Sequence, residues 1–129
     1  MTSVRVGTDL VQVSRVAASI ARFGDRFIGR MFTRDEIAYC TRDARTSAER
    51  YAARFAAKEA TLKVLRPDQH WFDWRTIEVV RTTGGWCELA LHGAARQMAK
   101  NAKIESFSLS MSHEGDYATA VVVGTVAAD

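Results

Sequence analysis

RFAAKEATLKVLRP, residues 54–67, is where the chain changes its periodicity. Before it, Tyr51, Phe55, Leu62 and Leu65 recur at helical spacing, and the pattern predicts a helix over roughly residues 48–65 that Pro67 ends. After it, apolar residues alternate. WRTIEVVR (74–81) alternates around Ile77 and Val79, TTGG (82–85) turns, and WCELAL (86–91) alternates around Cys87, Leu89 and Leu91, which predicts a β-hairpin. The same stretch poses a chemical question. Among residues suited to packing it carries a carboxylate, Glu59, flanked by the cations Arg54, Lys58 and Lys63.

Upstream, SVRVGTDLV (3–11) alternates through Val4 and Val6 and presents Asp9 at the end of a short strand. Val16, Ala17, Ile20 and Phe23 then mark an amphipathic helix over 14–23, with Gly24 just past its end and Arg15, Ser19 and Arg22 on its polar side. A second short helix is expected over 25–31, and TRDE (33–36) has the form of a capping box opening a third. Downstream, HGAARQMAKNAK (92–103) reads as a short helix, and two strands follow around the HEGD turn (113–116). Phe107, Leu109 and Met111 mark the buried face of the first, leaving Ser106, Ser108, Ser110 and Ser112 on the other. An N-terminal strand and helices followed by an antiparallel sheet imply an α+β fold, in one domain over residues 1–129.

With 47% hydrophobic and 26% charged residues and a single proline, the composition is that of a globular protein and excludes a disordered chain. The net charge of +3 suits an acidic partner, but the basic residues are spread out, which argues against nucleic acid. Cys40 and Cys87 lie far apart without a metal-binding spacing, so two reduced thiols are expected. MTSVRVGTDLVQVSRV has neither a signal-peptide pattern nor a membrane span, so a cytoplasmic location is expected.

Asp9 and Glu59 are hard oxygen ligands of the kind Mg²⁺ uses together with waters and substrate phosphate. A plainer account has Asp9 capping the following helix and Glu59 paired with Lys63 one turn on. Lys63 shares the helix face of Glu59, whereas Arg54 lies about 140° away and would address another part of a ligand or a neighbouring chain. His113, at a strand end, fits a packing role or proton transfer.

In this order, VGTDLVQVSRV (6–16), IARFGDRFIGRMFTRDEI (20–37), RFAAKEATLKVL (54–65), WRTIEVV (74–80) and SMSHEGDYATAVVV (110–123) resemble the holo-acyl carrier protein synthase family, the small type of 4′-phosphopantetheinyl transferase. The resemblance implies Asp9 and Glu59 as the Mg²⁺ ligands, with Mn²⁺ as a substitute, and Asp9, Glu59 and Lys63 as the catalytic set. It implies CoA contacts from Arg54, Lys58, Lys63, Ser112 and His113. It further implies an acidic apo acyl carrier protein docked on Arg15, Arg22 and Arg26, and a homotrimer with each CoA site between subunits. The reaction implied moves the phosphopantetheine arm of CoA onto a carrier serine of the fatty acid or polyketide type and releases 3′,5′-ADP. Which group takes the serine proton is left open, the candidates being Glu59 through a metal-bound water or an additional carboxylate such as Asp35.

The chain departs from that pattern in two places. VLRPDQHWFDWR (64–75) stands where the family has a glycine-rich loop beside CoA, so Arg66 or His70 would have to replace backbone contacts. TTGGWCELAL lacks the usual G-K-P, and a core role is expected for Trp86. The departures keep a specialised or non-catalytic paralogue, a carrier-protein or CoA-binding module, as the alternative. A basic nucleic-acid module built on Trp71, Trp74 and Trp86 finds no supporting motif. The E-x-K arrangement of a Mg²⁺ nuclease is absent, because Glu59 and Lys63 are spaced for a helix.

Overall fold

The last strand of the chain is the middle of its larger sheet. The computed structural model describes residues 2–68 and 71–128, so His70 lies outside the described residues. The order is β1 (Ser3–Gln12), α1 (Val13–Phe23), α2 (Asp25–Met31), α3 (Arg34–Cys40), α4 (Ser47–Leu65), a 3-10 turn (Trp74–Thr76), β2 (Ile77–Arg81), β3 (Cys87–Leu91), α5 (Gly93–Asn101), β4 (Ile104–Glu114) and β5 (Tyr117–Val126). The fold is α+β, and its antiparallel strands divide between two sheets. β5 lies between β1 and β4, while β2 and β3 form a separate hairpin. The N-terminal strand thus closes the sheet begun by the C-terminal hairpin, with Asp9 opposite Ala120 and Gly7 opposite Val122.

α4 packs beneath this sheet through small residues. Ala52, Ala56, Ala57 and Ala60 are fully buried, which lets strand backbone approach helix backbone. Gly7 exploits that approach. A Cβ placed on it would meet the Ala60 carbonyl oxygen at 2.0 Å, so only glycine fits. Asp9, two residues on, shares the Gly7 face of the strand and is thereby held against α4.

α3 opens on the expected capping box. Thr33 Oγ1 accepts from the Glu36 amide at 3.2 Å, and the Thr33 amide donates to Glu36 Oε1 at 2.9 Å. Glu36 also ties three elements together. It accepts from Lys58 Nζ at 2.8 Å and from the Val79 amide at 2.9 Å, and Lys58 donates further to the carbonyls of Trp74 and Ile77. At the other end, α4 stops two residues before Pro67; the next residue, Arg66, turns left-handed (φ 55°) and its amide donates to Leu62 O at 2.8 Å.

Trp86 is not in the core: it is 60% exposed, its Nε1 donates to Glu88 at 2.9 Å, and its ring covers Gly84 in the hairpin turn. The outward face of the larger sheet carries Val4, Val6, Leu10 and Val121, all exposed, beside exposed Ser106, Ser108, Ser110 and Ser112 of β4. The opposite face of β4 holds Phe107, Leu109 and Met111 against the core, as the alternation requires.

Candidate active site

A cleft of about 450 Å³ opens between β1, α1 and α4, lined by Asp9, Gln12, Arg15, Phe55, Glu59 and Lys63 among others. The Asp9 backbone is pinned from the sheet, its carbonyl accepting from Thr119 Oγ1 at 2.8 Å. Lys63 does not pair with Glu59 one turn back. Its Nζ reaches across to β1, donating to the Thr8 carbonyl at 2.6 Å and standing 3.4 Å from Asp9 Oδ1. Glu59 is half-buried, and burial pushes its carboxyl above the ordinary carboxylate range; the nearby charge of Asp9 adds to the rise and Lys63 opposes it.

The donor set fits a divalent cation. The charge of Asp9 adds to the cost of ionising Glu59, and a cation bound by both would offset that cost. Among the described residues no group of three His, Cys, Asp or Glu surrounds the spot. Two protein carboxylates with the remaining positions left to water and phosphate oxygens is an arrangement that suits Mg²⁺ and not a fully enclosed Ca²⁺ or zinc site.

The remaining residues named from sequence do not all join this cluster. Arg54 is nine residues before Lys63 and so about 180° around α4. It is 4% exposed, its guanidinium lies 4.3 Å from the Tyr39 ring centroid, and its Nη2 is 3.8 Å from Cys87 Sγ. There it lines a separate cleft of about 370 Å³ with Glu49, Arg50, Ser112 and His113. His113 Nδ1 stands 3.7 Å from Glu49 Oε2. The structure thus brings Asp9, Glu59 and Lys63 together on one side of α4 and Arg54, Ser112 and His113 together on another.

Lys58 lies apart from both clefts. Expected among the CoA contacts, it has its side chain fully buried in an ion pair with Glu36. Burial lowers its pKa, and Glu36 offsets part of that fall. Asp35 is exposed on α3 and lines a third cleft with Tyr39, Arg54 and Arg81, apart from Asp9 and Glu59. Arg15 faces the Asp9 cleft itself, while Arg22 and Arg26 are exposed beyond it, Arg22 lying 5.1 Å from the Phe23 ring centroid. Arg66 is exposed at the helix end. Sequence reading missed Gly7 as the residue that sets β1 on α4, and it missed Tyr39 and Arg50. The spacing of Arg50 and Arg54, one helical turn apart, was the available signal for the latter.

Residues 5–122 match the model of the 4′-phosphopantetheinyl transferase superfamily. The chain is 45% identical to a holo-[acyl-carrier-protein] synthase of Koribacter versatilis, over 91% of this chain and 94% of the relative. It is 41% identical to one of Solibacter usitatus, over 93% and 96%. Among solved structures, the ACPS–CoA complex of Chronobacterium ammoniagenes superposes with a TM-score of 0.85 at 30% identity, covering 95% of this chain and 96% of that one. Two carboxylates and a lysine lining one cleft between β1 and α4, and likeness over nearly the whole length, lead to one conclusion: the chain belongs to the 4′-phosphopantetheinyl transferase superfamily and, within it, to the holo-[acyl-carrier-protein] synthases.

Proposed function

We propose that the chain transfers the 4′-phosphopantetheine arm of CoA to a serine hydroxyl of an apo acyl carrier protein of fatty acid or polyketide synthesis, releasing 3′,5′-ADP, in a Mg²⁺-dependent reaction in which Mn²⁺ can substitute. The observation that carries the proposal is the meeting of Asp9, Glu59 and Lys63 in one cleft. Bound there, the cation would neutralise charge on the diphosphate. Asp9 and Glu59 supply its protein oxygens. Lys63, half exposed at the rim, is free to leave Asp9 for a phosphate oxygen and to offset charge gathering on the leaving group. Of the two carboxylates considered as base, Glu59 lies in this cleft and Asp35 does not, which favours Glu59 for the serine proton.

Arg15 at the cleft, with Arg22 and Arg26 beyond it, forms a cationic approach on α1 and α2 for an acidic carrier protein, so association should slow as salt rises. The active form is a homotrimer with CoA held between subunits. Two observations support it: the uncovered apolar face of the larger sheet, and the half-turn separation of Lys63 from Arg54, which points the two sets of contacts in opposite directions. Residues 1–129 act as one domain in the cytoplasm; among the described residues no helix is long and apolar enough to cross a membrane. The altered segment 64–75 favours a second reading, a paralogue that binds CoA or the carrier without transfer.

Intact-mass measurement of an apo carrier protein incubated with CoA, Mg²⁺ and the chain tests both. A phosphopantetheine mass gain that vanishes with chelator, and in Asp9→Ala and Glu59→Ala, is expected. CoA binding without any mass gain would establish the second reading instead.

A further inference from the structure

α1 begins without a loop and without a cap of its own. β1 ends at Gln12 and the helix starts at Val13, while Gln12, extended at φ −82° and ψ 119°, makes no side-chain capping bond. The first amides of the helix would therefore lack acceptors. They are met from 102 positions along the chain. The Val13 amide donates to the Asp116 carbonyl at 2.7 Å, the Ser14 amide to Asp116 Oδ1 at 2.9 Å, and Ser14 Oγ to Asp116 Oδ2 at 2.6 Å. Asp116 sits in the tight turn between β4 and β5, which Gly115 makes with a left-handed backbone (φ 58°). Its carboxyl is held below the ordinary carboxylate range, chiefly by the Ser14 hydroxyl. An acid there also meets the positive end of the helix dipole.

What this cap holds is the start of the cationic helix. Arg15 follows Ser14 directly and lines the Asp9 cleft. Among the described residues no carboxylate stands at salt-bridge distance from Arg15, so its placement follows from its backbone. Asp9 is pinned separately, by Thr119 of β5. A swing of α1 about Gln12 would therefore carry Arg15 away from the cleft while Asp9 stayed. Val13 and Val16 are buried and resist such a swing, but apolar contact is non-directional. The three bonds to Asp116 supply the direction.

We propose that Asp116 is a positioning residue: by capping α1 from the β4–β5 turn it fixes Arg15 at the Asp9 cleft for the acidic carrier protein, an inference that rests on the transferase reading above for the identity of the partner. The sign of the effect separates this role from simple electrostatics. Removing a negative charge beside cationic α1 should by itself strengthen attraction for an acidic partner. Losing the cap should weaken docking instead, because only a fraction of chains then hold Arg15 in place. Asp116→Asn and Asp116→Ala make the same change of charge, but asparagine keeps a capping oxygen and alanine has none.

Calorimetric titration of the full chain with an apo acyl carrier protein of fatty acid synthesis tests this, using wild type, Asp116→Asn and Asp116→Ala, alongside transfer kinetics. Asp116→Asn should bind the carrier as well as wild type or better, and Asp116→Ala about fivefold less tightly. In transfer, the loss in Asp116→Ala should lie in the KM for the carrier, with the KM for CoA and kcat unchanged. A general loosening of the fold would move all three. Ser14→Ala, which removes only the hydroxyl bond and alters no charge, should show a smaller loss of the same sign, and it carries the comparison where Asp116→Ala does not fold. Equal affinities of the asparagine and alanine variants, no carrier binding by wild type, or an unchanged Ser14→Ala where that variant stands in, overturns the proposal. Carrier binding that depends on the cap, in a protein that transfers nothing, would uphold the proposal and sink the transferase reading alone.

Discussion

Glu59 shows most directly how one side chain is prepared for its work at some cost to the fold. Its carboxyl is raised by burial and then by Asp9, so in the metal-free chain its folded pKa lies above its unfolded one. The stability this contributes is fully present below the unfolded value and is lost as pH rises through the folded one, so at neutral pH an ionised Glu59 opposes folding. Glu59→Gln should therefore raise the melting temperature of metal-free protein at pH 7 while cutting transfer about a hundredfold or more. Added Mg²⁺ should stabilise wild type and leave the variant unmoved. In Asp9→Asn the Glu59 titration, followed by carboxyl NMR, should shift toward lower pH. Lys58 offers a contrast, since its charge is satisfied within the fold. Lys58→Ala leaves Glu36 buried without its cation and should cost about 3–5 kcal/mol in urea denaturation. Lys58→Met combined with Glu36→Gln should recover much of that loss and retain affinity for CoA.

At the level of elements, the site depends on how closely β1 lies on α4. Gly7→Ala forces a methyl group into the Ala60 carbonyl, so strand and helix must part. The expected cost is about 1–3 kcal/mol in denaturant, with a disproportionate fall in transfer because Asp9 moves away from Glu59. The elements themselves were legible. A 3.6-residue period ending near a proline gave α4, TRDE gave the start of α3, and two alternating runs about TTGG gave the β2–β3 hairpin. Their pairing was not legible, because the alternation of Val4 and Val6 is satisfied by any partner strand, and β5 lies more than a hundred residues away. The burial of Lys58 was hidden for a similar reason. Its partner Glu36 already had a local explanation in the capping box, and nothing in the sequence revealed that the same carboxylate could serve both. Asp9, Glu59 and Lys63 were nameable as a set because the motif stretches carry them, but the bond from Lys63 to Asp9 instead of Glu59 needed the fold.

For the whole molecule, the decisive property is that the two clusters proposed to contact CoA point two ways from a single chain while one sheet face stays apolar and open. Val4, Val6, Leu10 and Val121 together expose enough hydrocarbon that covering it would contribute several kcal/mol. If copies associate through this face, a carboxylate on one chain can meet an arginine on the next. Val6→Glu should then give smaller particles by light scattering, with helix content kept and transfer lost. A sharper consequence concerns mixtures. Asp9→Ala and Arg54→Ala should each be nearly inactive alone, yet a shared site needs Asp9 from one copy and Arg54 from its neighbour. Dissociated and reassembled together in equal amounts, the two variants should regenerate both groups in about a quarter of the sites, so activity should return toward that fraction of wild type. Sites contained within one chain cannot be repaired in this way, because every chain in the mixture lacks one of the two groups. Absence of any recovery, in a mixture shown by mass to contain mixed assemblies, would put all the contacts back on one subunit and require Arg54 to act from the far side of α4.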